Sequence, residues 1–267
     1  MSADIDKSNL DTILNDLAKQ YRKYGGKYQK AELILVGGAA VIAKYNFRDS
    51  TKDIDAIIRS ASALKDAAVI VGEKYNLEYK WLNSDFIKTT SYSEKLREYS
   101  KYYKTFANVL EVRVVDSEYL IAMKMMSARE YKKDLSDIVG IIEAHYKNGD
   151  NINREKIYKA LTDIYGSNKE VPDSTWDFVD NALKCANDEL YQSVRDKEIR
   201  SNKLLKDFEK EYTDVLTQDN VDDILKTLLE KDDRIVENDG SNVKTTEEKE
   251  KRRNNRIVID QSDDYEY

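Results

Sequence analysis

Two aspartates separated by one residue, Asp53 and Asp55, follow a pair of glycines, Gly37 and Gly38, early in the chain. In a β-strand, residues i and i+2 project from the same face, so a strand through this run would hold both carboxylates together. Two carboxylates fixed so close repel each other, and a cation between them removes that cost. Because hard oxygen ligands of this kind suit Mg²⁺, we predict a magnesium site at Asp53 and Asp55.

The glycine pair ends an apolar β-type run and precedes small residues that suit a helix. Without a Cβ atom, Gly37 and Gly38 let backbone N–H groups approach a phosphate, and a helix beginning there adds a favourable dipole end. Thr51 and Lys52 lie just before the aspartates. Together, the two motifs predict a site for a metal-bound nucleoside triphosphate.

The order and spacing of these motifs resemble the nucleotidyltransferase superfamily named for DNA polymerase β. Residues 48–55 and 118–124 further resemble the stand-alone bacterial nucleotidyltransferases of the abortive-infection, toxin-like group, and the resemblance covers residues 30–143. It implies Mg²⁺-dependent transfer of a nucleoside monophosphate from an NTP to a hydroxyl acceptor. The implied acceptor is RNA, such as a tRNA end, or a protein, in a toxin or phage-defence setting. Whether an antitoxin protein is a further partner stays open. The resemblance also implies that Thr51 or Lys52 contacts phosphate, and the alternative for each is a solvated turn.

The resemblance also implies a third carboxylate on a neighbouring strand. Residues 110–115 alternate as a strand, with Glu111 and Arg113 on the face opposite the apolar side chains. Glu111 is the predicted third metal ligand, and Asp116 at the strand end is the competing candidate. The alternative for Glu111 is a surface carboxylate paired with a neighbouring cation.

Lys124 lies in an otherwise apolar helical segment, so it either extends to water or reaches an anionic group. In the resembling family a lysine at this place lies at the nucleotide site, and Lys124 is therefore predicted to balance triphosphate charge. Asp137 matches an acidic family position, where it either orients the lysine or is an exposed carboxylate in a first helical turn. Asp134 is the predicted N-cap of that helix.

Composition limits the function classes. The single cysteine, Cys185, cannot form an internal disulfide, and the single histidine, His145, disfavours a zinc pair, a serine triad and a histidine-dependent ribonuclease. A formal charge of −7 does not suit nonspecific nucleic-acid binding by the whole chain. Without a signal pattern or an apolar run long enough for a bilayer, we expect a cytoplasmic protein with no membrane contact.

Aromatic and basic side chains interleave in residues 75–105. Such a segment either stacks bases and holds phosphates, or packs its aromatic rings inward while its lysines face water.

The predicted fold class is α+β, with a nucleotidyltransferase-fold mixed sheet flanked by helices in residues 1–147. No convincing strand follows Gly149, so residues 148–235 are predicted to form a helical accessory domain. Residues 236–267 have few core-forming side chains and alternate charged blocks, which predicts a disordered charged tail. The alternative function is a non-catalytic nucleotide-binding or protein-interaction platform. That alternative gains if Glu111 points away from the two aspartates and Asp116 cannot replace it.

Overall fold

The protein is built on a mixed β-sheet flanked by helices, as described by a computed structural model for residues 2–166, 171–217 and 219–234. In chain order the elements are β1 (Ile5–Asp6), α1 (Leu10–Tyr21), β2 (Ala31–Leu35), α2 (Gly37–Lys44), β3 (Ser50–Thr51), β4 (Ile54–Arg59), α3 (Ala63–Tyr75), β5 (Leu82–Asn83), β6 (Ser100–Phe106), β7 (Leu110–Val115), α4 (Ser117–Ser127), α5 (Asp134–Lys147), α6 (Arg154–Tyr165), α7 (Asp173–Cys185), α8 (Asp188–Glu211) and α9 (221–234).

The main sheet has five strands in the order β5-β4-β2-β7-β6. Its central strand, β2, runs antiparallel to β4 and parallel to β7, and β6 forms an antiparallel pair with β7. A central strand is covered on both faces, which explains why Leu33, Ile34 and Leu35 are all fully buried. The predicted α+β fold, a mixed sheet flanked by helices and followed by a helical C-terminal region, is confirmed.

The strand register decides which side chains meet at each end of the sheet. Leu35 of β2 pairs with Ala56 on one side and with Val114 on the other. Asp55, one position beyond Ala56, therefore lies at the end of the sheet where β2 passes into α2. Glu32 pairs with Arg59 and with Glu111, so those residues lie toward the opposite end.

The chain divides into two compact units, residues 1–198 and a second unit that begins at Ile199. This division differs from the predicted boundary at residue 147, because α6 and α7 share the hydrophobic core of the sheet through residues such as Leu161 and Val179. The end of α6 is also tied to the preceding chain, since the Ser93 hydroxyl donates to the carbonyl of Ile164. The helices α6 and α7 therefore pack into the core of the sheet and do not form a separate core.

The second unit is helical where the structure describes it. Arg200 in α8 donates to the carboxylates of Asp232 and Asp233 in α9, each at 2.7 Å. The predicted disordered tail, residues 236–267, lies outside the described residues. Among the described helices, none combines the length and the apolar character needed to cross a bilayer.

Most of the aromatic side chains in residues 75–105 are buried or half-buried against the hydrophobic core. Trp81 is buried and its indole N–H donates to the carbonyl of Ala68, while the ring of Tyr99 stacks on Tyr119 at a centroid distance of 4.2 Å. Tyr79 is the clearest exception, with 91% of its surface exposed. These contacts favour the packing alternative for this segment over a continuous base-stacking surface.

Candidate active site

The turn from β2 into α2 brings a glycine against the second strand aspartate. Gly37 has a φ of +54°, and a Cβ atom built on it would lie 3.2 Å from Oδ2 of Asp55. The backbone N–H of Val36 donates to the carbonyl of Asp55 at 3.0 Å, which holds the two chain segments side by side. Both the left-handed backbone and the tight space require glycine at position 37. The Asp55 carboxylate therefore lies at the beginning of α2.

The structure brings the two predicted carboxylates together. The pKa of Asp55 is raised to about 6, chiefly by burial and also by the negative charge of Asp53. A hydrogen bond from Asn83, which pairs with Asp55 across β4 and β5, acts in the opposite direction. The hydroxyl of Thr51 donates to Asp53 at 3.3 Å. Two carboxylates whose negative charges repel each other form a donor set that fits a hard divalent cation.

The second glycine packs against groups that donate hydrogen bonds. A Cβ atom on Gly38 would lie 2.5 Å from Nη2 of Arg48 and 2.8 Å from the hydroxyl oxygen of Thr51. The N-cap residue of α2, Val36, has no side-chain acceptor for the N–H groups of the first turn. Three kinds of hydrogen-bond donor therefore lie at the beginning of α2: a guanidinium, a hydroxyl and backbone N–H groups. An anionic ligand can accept hydrogen bonds from all of them.

Contacts from the chain on either side hold Arg48 in this place. Its guanidinium forms an ion pair with Asp137 of α5. The ring of the preceding residue, Phe47, lies against Gly140 one turn further along α5, where a Cβ atom would be 2.5 Å from the ring. The hydroxyl of Tyr191 in α8 donates to the carbonyl of Phe47 at 3.0 Å. The segment that carries Arg48 is thus anchored on α5 and α8.

Lys124 is buried between two carboxylates of α5. Its ammonium group lies 2.7 Å from Asp137 and 3.3 Å from Asp134, and only 6% of the residue is exposed. Arg129 donates to the other oxygen of Asp134 at 2.9 Å. Burial opposes ionisation of Asp134, but Lys124 and Arg129 hold its pKa below the ordinary value. A continuous chain of alternating charges therefore runs from Arg48 through Asp137, Lys124 and Asp134 to Arg129.

This arrangement bears on the alternatives for Asp137, Lys124 and Asp134. Asp137 is only 1% exposed, so it is not a surface carboxylate, and it contacts Lys124. Lys124 reaches two carboxylates rather than water, and it shares Asp137 with Arg48, whose guanidinium lies against Gly38. Asp134 is not the N-cap of α5, because it is the first residue of the helix and its carboxylate turns to Lys124 and Arg129.

A second cation lies next to Arg48. The ammonium group of Lys133 and Nε of Arg48 both donate to the carbonyl of Ser50, at 2.9 and 3.3 Å. The pKa of Lys133 is lowered to about 8, chiefly by burial and also by the positive charges of Arg48 and Arg195. Positive charge therefore accumulates beside the first turn of α2, which favours an anionic ligand there.

Glu111 is not brought to the aspartate pair. It lies at the level of Glu32 in the sheet, four residues from the level of Asp55, which corresponds to about 13 Å along the strands. Its carboxylate lies 3.6 Å from Arg113 instead. The position of Glu111 thus fits the alternative prediction, a surface carboxylate paired with a neighbouring cation. Alternation along β7 predicts the face of a side chain correctly, whereas its level in the sheet depends on the register.

Asp116 and Lys52 also have other partners. The carboxylate of Asp116 lies 3.1 Å from the ammonium group of Lys101 and 3.7 Å from that of Lys44. Lys52 forms an exposed ion pair with Asp4 near the N-terminus. Over the described residues, no group of three histidine, cysteine or acidic side chains is placed to hold a metal ion. Of the predicted metal ligands, Asp53 and Asp55 are the two that the structure brings together.

Sequence reasoning missed several residues of the site. Arg48 was visible only as part of the segment that resembles the family, and its contact with Gly38 depends on the return of the chain after α2. Arg129 and Lys133 precede the first turn of α5 in a run of charged residues whose spacing matches no motif. The contact between Asn83 and Asp55 depends on the pairing of the short strand β5, which no periodic pattern in the sequence predicts.

Comparison with known proteins gives one match. A family model described as a nucleotidyltransferase of unknown function (DUF6036) matches residues 12–171, which is more than half of the chain. The matched span includes both glycines, both strand aspartates, Lys124 and the first turn of α5. No curated protein and no solved structure matches the chain.

Proposed function

Because the chain belongs to this family of nucleotidyltransferases, we propose that it transfers a nucleoside monophosphate from an NTP to a hydroxyl acceptor with Mg²⁺. The observation that carries this proposal is the contact between Asp55 and Gly37, with Asp53 beside it. It joins a carboxylate pair suited to a metal ion with the beginning of a helix suited to phosphate.

The chain's own residues would have the following roles. The first turn of α2, Arg48 and Thr51 bind the triphosphate by donating hydrogen bonds to its oxygens. Asp137 holds Arg48 and Lys124 in place through one carboxylate oxygen. The acceptor hydroxyl attacks the α-phosphorus and loses its proton, while the bond from that phosphorus to the bridging oxygen breaks and pyrophosphate leaves.

Asp53 and Asp55 are the residues that would hold Mg²⁺. A cation bound to these carboxylates would offset their mutual repulsion and supply charge stabilisation to the attacking hydroxyl and the departing pyrophosphate. Two carboxylates are a small donor set, so oxygens of the bound triphosphate would complete the coordination.

The acceptor and the biological setting rest on the sequence resemblance. They are RNA, such as a tRNA end, or a protein, in a toxin or phage-defence role in which an antitoxin protein would be a partner. We retain both acceptor classes as outcomes of the experiment below.

A second candidate function is a nucleotide-binding or protein-interaction platform without catalysis. The positions of the two candidates for a third metal ligand favour the platform, because Glu111 contacts Arg113 and Asp116 is paired with two lysines. Transfer and platform functions both require nucleotide binding, so only an assay of covalent transfer separates them.

The experiment incubates the purified full chain with Mg²⁺, total RNA and each α-³²P-labelled NTP in turn, and then separates RNA from protein. Label on RNA supports transfer and identifies the base, whereas label on protein supports a protein-modifying enzyme. Asp177→Asn, a change in an exposed carboxylate on α7, is the matched control for variants of the site aspartates. Nucleotide binding without any transferred label would favour the platform.

A further inference from the structure

The first turn of α5 is capped by a residue from a distant helix. Lys133 at the N-cap has no side-chain acceptor, so the N–H groups of this turn need another partner. Oε1 of Glu198 in α8 accepts from the backbone N–H groups of Leu135 and Ser136, at 3.0 Å each. Oε2 of the same carboxylate accepts from the hydroxyl of Ser136 at 2.5 Å. Glu198 is only 2% exposed, so water does not compete for these bonds.

The capped turn is the one that presents the acidic side chains of the candidate site. Asp137 follows Ser136 directly, and one of its oxygens contacts both Arg48 and Lys124. Asp134 begins the same turn and contacts Lys124. The other oxygen of Asp137 has no hydrogen-bond partner among the described residues, so the carboxylate is held only through the shared oxygen and the backbone of the turn. The orientation of this turn therefore helps to place Arg48, together with the packing of Phe47 on α5 and the bond from Arg48 to the carbonyl of Ser50.

A carboxylate at this place is costly for the fold. The pKa of Glu198 is raised to about 7, chiefly by burial and in part by the neighbouring charge of Asp137, while the bonds from Ser136 and the charge of Arg195 oppose the shift. A serine or aspartate at the N-cap itself would satisfy the same N–H groups locally and without burying a distant charge. What the distant residue adds is a link between α8 and the turn that carries Asp137.

Glu198 lies beyond residues 12–171, the part of the chain that matches the family model, and it is the last residue of the first compact unit. We propose that Glu198 is a positioning residue of the nucleotide site, which holds the first turn of α5 so that Asp137 keeps Arg48 against Gly38. This inference rests on the proposed function, because it assigns α8 a role in binding the triphosphate.

Three variants of the full chain test this role by calorimetric titration with each NTP in the presence of Mg²⁺. Glu198→Ala leaves two buried N–H groups without an acceptor, and we expect roughly a tenfold loss of NTP affinity. Glu198→Gln keeps an amide oxygen for both groups, and we expect affinity within about twofold of the natural chain. Leu17→Ala removes a buried side chain from α1, which packs against α3, and serves as a destabilised control with unchanged affinity.

Hydrogen exchange of the Leu135 and Ser136 amides, measured on the same samples, separates the possible outcomes. Faster exchange together with weaker binding in Glu198→Ala, and neither change in Glu198→Gln, supports the positioning role. Faster exchange with unchanged affinity overturns the role while the proposed function stands. An equal loss of affinity in Leu17→Ala also overturns it, since general destabilisation would then be the cause. If the natural chain binds no NTP, the proposed function fails first and the positioning role fails with it.

Discussion

Oδ2 of Asp55 lies 3.2 Å from the place that a Cβ atom on Gly37 would occupy. This contact joins the end of β2, the beginning of α2 and the aspartate strand β4 in one place. Because Gly37 also has a positive φ, the backbone and the side-chain packing impose the same residue type. The two sequence motifs are therefore parts of a single structural unit.

The first prediction concerns Gly37→Ala. The left-handed backbone costs an alanine about 1 kcal/mol of folding free energy, and its Cβ atom displaces the Asp55 carboxylate. We expect that modest destabilisation together with loss of NTP binding, measured by chemical denaturation and titration.

Gly149→Ala is the matched control for this change. Gly149 has a φ of +72°, but a Cβ atom on it would meet no atom within 4 Å. It should show the same loss of stability with unchanged binding. Equal binding losses in the two variants would contradict the role of the contact with Asp55.

The second prediction concerns the buried charge chain. Lys124→Met leaves Asp134 and Asp137 without their shared cation, and we expect a loss of about 3–5 kcal/mol in the free energy of unfolding. Lys159→Met is the control, because Lys159 forms an exposed pair with Asp163 whose removal should cost at most about 1 kcal/mol. Urea denaturation measures both. Losses of similar size would show that Lys124 is not a buried ion-pair partner.

The third prediction concerns the dependence of stability on pH. The pKa of Glu198 is about 7 in the folded chain, above its ordinary value of 4.5. The folded chain thus keeps a proton that the unfolded chain releases, so this contribution to stability is present at low pH and is lost as the pH rises from about 4.5 through 7. Glu198→Gln has no such group and should lose less stability over that range.

Denaturation of both chains between pH 5 and pH 8 measures this difference. Asp137, Arg195 and Ser136 face Glu198 in both chains, so the difference between the two stability curves isolates the carboxyl group of Glu198. Parallel stability curves for Glu198→Gln and the natural chain would show that Glu198 does not titrate in this range.

The fourth prediction concerns Glu111, which the sequence favoured as the third metal ligand. Because the register places it about 13 Å along the sheet from Asp55, Glu111→Gln should keep the transfer rate and the Mg²⁺ dependence of the natural chain. Kinetic assays at varied Mg²⁺ concentration measure both. A large rise in the Mg²⁺ concentration needed for half-maximal rate would restore Glu111 as a ligand.

Local features of this fold were predictable from sequence, and long-range ones were not. The spacing of two brings Asp53, just before β4, near Asp55 within it, and the apolar run of β2 identifies the central strand. The level of Glu111 was not predictable, because it depends on how β7 pairs with β2. The predicted boundary at residue 147 stays a prediction, because the absence of strands does not say which core a helix joins, and α6 packs into the core of the sheet.

The same distinction applies to the site. Arg48 reaches Gly38 because Phe47 packs on α5, and Glu198 reaches α5 from a helix far along the chain. Neither contact follows a periodic pattern or a motif, since each depends on tertiary packing between elements distant in sequence. Such residues become visible only when the elements are placed together.

The most direct test of nucleotidyl transfer at the paired aspartates compares Asp55→Asn with the natural chain, using α-labelled NTP, Mg²⁺ and the acceptor identified by labelling. The amide keeps the size of the side chain but removes the charge that would hold the metal ion. We predict that Asp55→Asn still folds and loses at least about a hundredfold in transfer rate, the order lost when one electrostatic contact to a transition state is removed. Asp177→Asn should keep the natural rate. Transfer by Asp55→Asn at the natural rate would contradict the account.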